Sequence, residues 1–361
     1  RKDTTLMNIN KEVETKVSRV YVMRGKEQIE VPELRAGDIG ALSKLTVTTT
    51  GDTLCSKGFN VKYEGVEFAP SLLCMAIQPK NKGDEDKVSS SLAKIMEEDP
   101  TVRTEVDSEL KQQLIYGVGD QHLDVIVNKL KNKFKVEVDL SKPKVSYRET
   151  INGKAEVRGK YKKQSGGHGQ YGDVLMVFEP SGDLSTPYVF EEKIFGGSVP
   201  KNYFPAVEKG IQEGVKSGVL AGYPMVGVKA TLIDGSYHPV DSSEMAFKMA
   251  TSMAFKDGIP KAKPVILEPI VAVHILVDEA YMGDIMSDMT KRRGRVLGME
   301  PQGGKQMIDA EVPMAEMFSY PTDLRSMTQG RGSYTMEFVR YEEASHEVME
   351  KIIAESQAAQ A

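Results

Sequence analysis

The sequence predicts a multidomain α+β protein, and three observations carry that prediction. At 361 residues the chain exceeds what one ordinary core organises, so about two to four domains are expected. Its apolar pattern switches repeatedly between the two-residue period of strands and the longer period of helices. The order strand, helix, strand, strand, helix, strand also occurs twice, over residues 71–140 and 268–341, on either side of a stretch built differently.

Taken in order, residues 4–68 carry short β-branched runs at Lys16 to Met23, Lys44 to Thr50 and Gly58 to Tyr63, with turn signals at 33–40 and 50–54. A small, incomplete β-barrel over 1–68 is expected. Residues 69–143 then read as βαββαβ. Strands are expected at 72–78, 102–106, 113–118 and 134–138. A helix at 84–98 places Val88, Leu92, Ile95 and Met96 on one face, and a second helix starts at Asp120 as N-cap. His122 reads as a satisfied helix residue, because no second metal-type residue stands at a matching spacing.

A joint is expected at 143–147. Residues 144–266 then give a strand-like stretch at 151–163, a loop, a second strand at 173–179, a helix at 203–217, a strand at 226–234 and a helix at 242–255. In that last helix Met245, Met249 and Met253 read as core packing. Residues 267–361 repeat βαββαβ, with strands at 270–277, 294–301, 306–312 and 333–340 and helices at 281–292 and 317–328. A terminal helix is expected from Glu342 to Glu355, and a second joint near Pro264.

Composition narrows the function classes. The chain is 40% hydrophobic and 27% charged, with no run near the ~18 apolar residues of a membrane span, so no membrane partner is expected. Cys55 and Cys74 stand alone in strand-like surroundings and read as small core residues in a reducing, cytoplasmic setting. A net charge of −5 argues against indiscriminate coating of nucleic acid, so any RNA contact must come from local patches. The chain opens Arg1-Lys2-Asp3 without an initiator Met or signal peptide, which reads as a piece of a longer protein.

Two segments stand out as tips. Ser165, Gly166, Gly167, His168, Gly169, Gln170, Tyr171 and Gly172 follow a basic run, Arg158, Lys160, Lys162 and Lys163. Each glycine in a regular element costs about 0.5–1 kcal/mol relative to Ala, so positive φ or close backbone approach is expected here, either to a phosphate or in a plain hairpin. The second tip, Tyr237, His238, Pro239, Val240, Asp241, Ser242 and Ser243, lies between a strand and a helix. Tyr171 and Tyr237 either stack on exposed bases or pack inside the domain. In the last unit Lys291, Arg292, Arg293 and Arg295 form a basic cluster at a helix end, which a solvated face also explains. Tyr320, Arg325, Gln329 and Arg331 form a second polar group.

Catalytic patterns are missing. Residues 298–306 approximate a phosphate-binding loop, but Lys305 falls one residue late, Gln306 replaces a hydroxyl, and the segment lies between strands. His168 and His238 have no nucleophile beside them, and neither a zinc motif nor a nucleophile elbow is present.

The runs at 166–172 and 237–243 resemble the two tip loops of the fourth domain of bacterial elongation factor G. Residues 36–39 and 51–54 resemble its second domain, and 316–332 its fifth. The resemblance implies a partial β-barrel, then two ferredoxin-like βαββαβ domains flanking an α+β domain like the second domain of ribosomal protein S5. It further implies a ribosome-dependent GTPase that moves tRNA and mRNA. Its GTP and Mg²⁺ would belong to a nucleotide-binding domain preceding residue 1, so no catalytic, metal or cofactor-binding residue and no GTP hydrolysis are expected within this chain.

The partners implied are the ribosomal RNA of both subunits, the tRNA–mRNA complex and the ribosomal proteins of the factor-binding centre, engaged as a monomer. RNA contact is implied for Lys162, Lys163, 165–171 and 237–241, and ribosome contact for Arg292, Arg293, Arg295, Tyr320, Arg325, Gln329 and Arg331. His168 stands where the main translocase often has Arg, and Pro239 where it is often acidic. These departures suit elongation-factor-G-like paralogues, and the alternative role is a ribosome protection, recycling or stress factor.

Overall fold

The computed structural model describes residues 1–163 and 169–360, and the chain divides into two compact units, Arg1–Pro143 and Lys144 onward. In the first unit, β1 (Thr4–Asn8), β2 (Val13–Val17), β3 (Val20–Arg24), β4 (Glu27–Val31), β5 (Ala41–Leu42) and β6 (Leu54–Cys55) make two three-stranded sheets, ordered β2-β1-β6 and β4-β3-β5. Among the described residues these sheets do not close into a barrel.

The run expected as one strand over 16–23 is two, broken at Ser18 and Arg19, and 44–50 and 58–63 are not strands. Side chains hold 44–52 as a loop instead. Asp52 accepts the Thr49 N–H and Asn8 Nδ2–H, each at 2.8 Å, and Lys11 Nζ donates to the Val47 carbonyl at 2.5 Å. The Thr49 and Asn8 bonds hold the Asp52 carboxyl down to about 2.

The rest of this unit is β7 (Leu73–Pro79), α1 (Glu85–Glu98), β8 (Arg103–Asp107), β9 (Gln112–Gly117), α2 (Asp120–Phe134) and β10 (Val138–Ser141). Its antiparallel sheet is ordered β10-β7-β9-β8, the ferredoxin-like arrangement. The helices bury Val88, Leu92, Ile95, Leu123, Ile126 and Leu130 against Leu73, Ile77 and Ile115. Two local readings change. Gly119, not Asp120, is the N-cap of α2, and the strand expected at 134–138 starts only at Val138, after Lys135 ends the helix in the left-handed region. His122 is satisfied, with Nδ1 accepting the Val118 N–H at 3.0 Å and Nε2 lying 2.9 Å from Asp99 Oδ2. Cys55 is buried, and burial pushes the Cys74 thiol up to about 11.

In the second unit β11 (Arg148–Ile151) comes first, then β12 (Ala155–Lys163), β13 (Gln170–Pro180), β14 (Tyr188–Glu192), α3 (Phe204–Gly214), β15 (Val228–Ser236) and α4 (Glu244–Gly258). The sheet β12-β13-β15-β14 is antiparallel except that β14 and β15 run parallel, joined by a crossover through α3. Its inner face, with Val157, Val174, Met176, Phe178, Ala230 and Leu232, packs on Val207 and Ile211 of α3 and on Phe247, Ala250 and Ala254 of α4.

The methionine stripe of α4 is not core. Met245 and Met253 are exposed, and the buried side is Ala246, Phe247, Ala250, Ala254 and Phe255. The cause is close approach: a β-carbon at Gly159 would lie 2.1 Å from the Ala250 carbonyl oxygen, and one at Gly172 2.4 Å from that of Ala246. A helix backbone so near the sheet leaves room only for small side chains between them.

The chain continues with β16 (Pro264–Val277), α5 (Met282–Lys291), β17 (Arg295–Gln302), β18 (Lys305–Pro313), α6 (Tyr320–Thr328), β19 (Ser333–Glu343) and α7 (His346–Gln360). With β19 on one side of β16 and β18 then β17 on the other, the order repeats that of the first ferredoxin-like sheet. Pro264, near the expected joint, is not followed by a loop. It opens β16, whose first residues, Pro264 to Leu267, pair with Ile151 to Arg148 of β11 before Ile270 to Val277 pair with β18. Tyr341 Oη donates to the Ser146 carbonyl at 3.0 Å and Asn152 Nδ2 to Glu343 at 2.9 Å, while Ile352 of α7 is buried with Ala221 and Ile266.

Candidate nucleic-acid interface

The strand β12 alternates buried and exposed residues, which puts Arg158, Lys160 and Lys162 in one exposed row leading to the first tip, with Lys163 exposed at its end. Arg158 binds Asp173 of β13 through two bonds of 2.8 Å. Burial alone would raise the Asp173 carboxyl, but Arg158 and the Ser236 hydroxyl, 2.6 Å away, hold it below the usual carboxylate range. Because Ser236 gives its proton to Asp173, the 2.7 Å bond between Ser236 Oγ and Tyr171 Oη has Tyr171 as donor. Lys160 Nζ lies 5.6 Å from the centre of the Tyr171 ring.

Asp241 fastens the two tips together. Its carbonyl accepts the Tyr171 N–H at 2.8 Å and its Oδ1 accepts the Gly169 N–H at 3.0 Å. Ser242 adds a second tie, donating to the Tyr171 carbonyl at 2.9 Å and accepting the His238 N–H at 2.8 Å. His238 Nδ1 faces the N–H groups of Val240, at 3.3 Å, and Asp241, at 3.1 Å, so the neutral ring carries its proton on Nε2. That imidazole is 51% exposed, beside exposed Tyr237, Pro239 and Val240. Ser243 caps α4 by accepting the Ala246 N–H at 3.2 Å, which fixes where the tip ends.

The structure brings Lys162, Lys163, Gly169, Gln170, Tyr171 and 237–241 to one end of this sheet; Ser165, Gly166, Gly167 and His168 lie outside the described residues. Gly169 and Gly172 meet the protein's own atoms rather than open space. A β-carbon at Gly169 would come 2.9 Å from Asp241 Oδ2, and neither glycine has positive φ. Tyr171 is half-buried and its hydroxyl is engaged, whereas Tyr237 is exposed. The supporting roles of Asp173, Ser236 and Ser242 emerge only from the structure. The period-two spacing of the basic residues signals their shared face, but nothing local signals a partner some seventy residues away.

The residues of the last unit separate into two groups. Arg292 is only 11% exposed and lies inside a polar cluster, bonded to Asp288 at 2.7 Å, the Glu316 carbonyl at 2.6 Å and Asp323 at 2.6 Å, with the ring of Tyr320 5.0 Å away. Tyr320 is fully buried, edge-on to Tyr334. Arg293 grips Glu268 through bonds of 2.7 and 2.8 Å, and that contact raises its guanidinium further above its ordinary range. Arg293 itself is exposed, as are Arg295, Arg325, Gln329 and Arg331; Arg295 contacts Glu311 at 2.5 Å and Arg331 lies 3.7 Å from Asp278.

The near-miss phosphate loop is a hairpin. Gly303 and Gly304, with φ of 58° and 83°, turn the chain between paired Gln302 and Lys305, so no helix N-terminus faces the turn and the residues do not fit a nucleotide phosphate. Among the described residues no group of His, Cys, Asp and Glu is arranged to hold a metal. No helix among them is long and apolar enough to cross a membrane.

Comparison with known families and structures gives matches along the chain. Residues 1–57 match the model of elongation factor G domain 2, 68–142 that of elongation factor G domain III, 143–263 that of elongation factor G domain IV and 265–352 that of the elongation factor G C-terminus. A crystal structure of a protein from Thermus thermophilus is 39% identical and superimposes with a TM-score of 0.74, over 99% of this chain and 53% of that one. The chain thus spans about half the length of that relative.

Proposed function

This chain belongs to the elongation factor G family, and we propose that it supplies the ribosome- and tRNA–mRNA-contacting part of a translational GTPase that promotes translocation. The observation that carries this reading is the tip itself. Two loops about seventy residues apart are tied by Asp241 and Ser242 into one rigid end, flanked by a basic strand and presenting Tyr237 and the Nε2–H of His238. Such an end suits an RNA groove: lysines meet phosphate, an exposed ring stacks on a base, and an imidazole N–H donates to a base edge or ribose hydroxyl. On this reading the tip acts as a wedge in RNA. Arg295, Arg325, Gln329 and Arg331 form the second contact surface, while Arg292, Arg293 and Tyr320 hold the domain that presents them. GTP and Mg²⁺ belong to the rest of the whole protein, and the site of action is the cytoplasmic ribosome.

The test is rapid kinetics of tRNA movement with the full-length protein. His238→Ala should slow movement about tenfold, the order expected when one interaction with a base is removed, while ribosome-stimulated GTP hydrolysis continues. Lys162→Ala with Lys163→Ala should weaken ribosome binding and lower its log–log salt slope by about 0.7 for each phosphate no longer neutralised. If His238→Ala abolishes hydrolysis and leaves movement per hydrolysis event unchanged, the wedge reading is wrong. A wild-type protein that drives no movement yet rescues stalled or drug-bound ribosomes would assign the chain to a protection or recycling factor.

A further inference from the structure

Beside the two tips runs a third loop, residues 193–203, between β14 and α3. Because β14 is parallel to β15, its end points the same way as the end of β15, toward the second tip. Three contacts hold the loop there. The Lys193 N–H donates to the Leu232 carbonyl at 2.8 Å, Val199 is buried against Gly235, and Tyr203 Oη donates to the Ser242 carbonyl at 3.3 Å while its ring stacks on Phe247 at 4.5 Å. Ser242 is the residue that ties the other two loops, so all three share one anchor.

The loop presents Phe195, which is 93% exposed, the most exposed of the large hydrophobic residues. Gly196 and Gly197 follow with φ of 70° and 72°, a left-handed pair that reverses the chain immediately after the phenylalanine. Lys193 and Lys201, both exposed, flank it. An anchored loop that leaves an aromatic ring bare between two cations matches the chemistry of an unpaired base on its sugar–phosphate backbone.

We propose that Phe195 is a further RNA-contacting residue of the tip, stacking on an unpaired base of the RNA that the other loops engage. The proposal rests on the wedge reading above and extends it to a loop that Tyr237 and His238 do not touch. Its occupant is single-stranded RNA, because the loop is anchored on the same Ser242 as the two loops proposed to meet RNA and carries exposed Lys193 and Lys201, with Lys193 also 3.4 Å from Glu191.

The chain contains no tryptophan, so Phe195→Trp installs a single emission reporter. The experiment titrates the chain with ribosomes carrying mRNA and tRNAs, comparing wild type, Phe195→Ala, Phe195→Trp and His238→Ala. Phe195→Ala should weaken binding about tenfold with an unchanged salt slope, since a stack involves no phosphate. Phe195→Trp should restore binding, and its emission should be quenched on the ribosome. Wild-type affinity of Phe195→Ala alongside a weakened His238→Ala overturns the stack and leaves the wedge standing. Wild-type affinity of both overturns both. Tryptophan emission that shifts to the blue without quenching places the ring in protein and also overturns the proposal.

Discussion

Asp241 Oδ1 accepts the Gly169 N–H at 3.0 Å across 72 residues of chain. The neighbouring Tyr171 N–H bonds instead to the Asp241 carbonyl at 2.8 Å. The side chain therefore holds one amide of the first tip and the main chain holds the other.

Asp241→Ala removes only the first of these bonds. Amide hydrogen exchange should quicken at Gly169 by roughly fivefold, corresponding to about 1 kcal/mol for one partly exposed hydrogen bond, while Tyr171 stays protected. Equal quickening at both amides would show that the aspartate side chain orders the entire turn.

Arg293 forms an ion pair with Glu268, whose side chain is only 6% exposed. Arg293→Ala strands that carboxylate and should lower unfolding stability by about 3 kcal/mol in a denaturant titration. Pairing Arg293→Met with Glu268→Leu should recover most of the loss, because no buried charge is then left alone. A double variant as unstable as the single one contradicts this account.

Glu311 lies between Arg340, at 2.6 Å, and Arg295, at 2.5 Å, and these contacts hold its carboxyl down to about 2 from an ordinary 4.5. A folded-state value below the unfolded one means that the charged form stabilises the fold, fully above about 4.5 and progressively less as pH falls through about 2. Wild type should therefore melt above Glu311→Gln at neutral pH, and the gap should close as the solution is acidified below about pH 4. A gap constant down to about pH 2 would rule the two arginines out as its source.

How much of this was legible in the sequence depends on the range of the interaction that decides each feature. The paired βαββαβ units and the helix faces of α1, α2 and α3 follow from periodicity, because burial of an amphipathic face is a local pattern. The strands expected at 44–50 and 58–63 failed for a reason local propensity cannot contain. The backbone of the first is held by Asp52, Asn8 and Lys11, and Asn8 and Lys11 lie some forty residues away. The methionine stripe of α4 misled because a helix normally buries its largest side chains; here Gly159 and Gly172 bring the backbone so close that Ala246 and Ala250 make the contact. In the tip, the glycines, tyrosines and basic run were visible, but Asp241 as the knot was not, since an aspartate in a turn looks the same whether it faces solvent or a distant amide.

The continuity of β16 has a mechanical meaning. Its first residues bond to β11, which leads into the tip domain, and its later ones are the central strand of the last domain, with α7 fastened across both by Ile352. A load passing between these domains would be borne by main-chain hydrogen bonds in shear along a common strand, not by a tether that could go slack. If the tip engages RNA as proposed, a push on Tyr237 or His238 would reach the surface carrying Arg295, Arg325 and Arg331 through that shared strand.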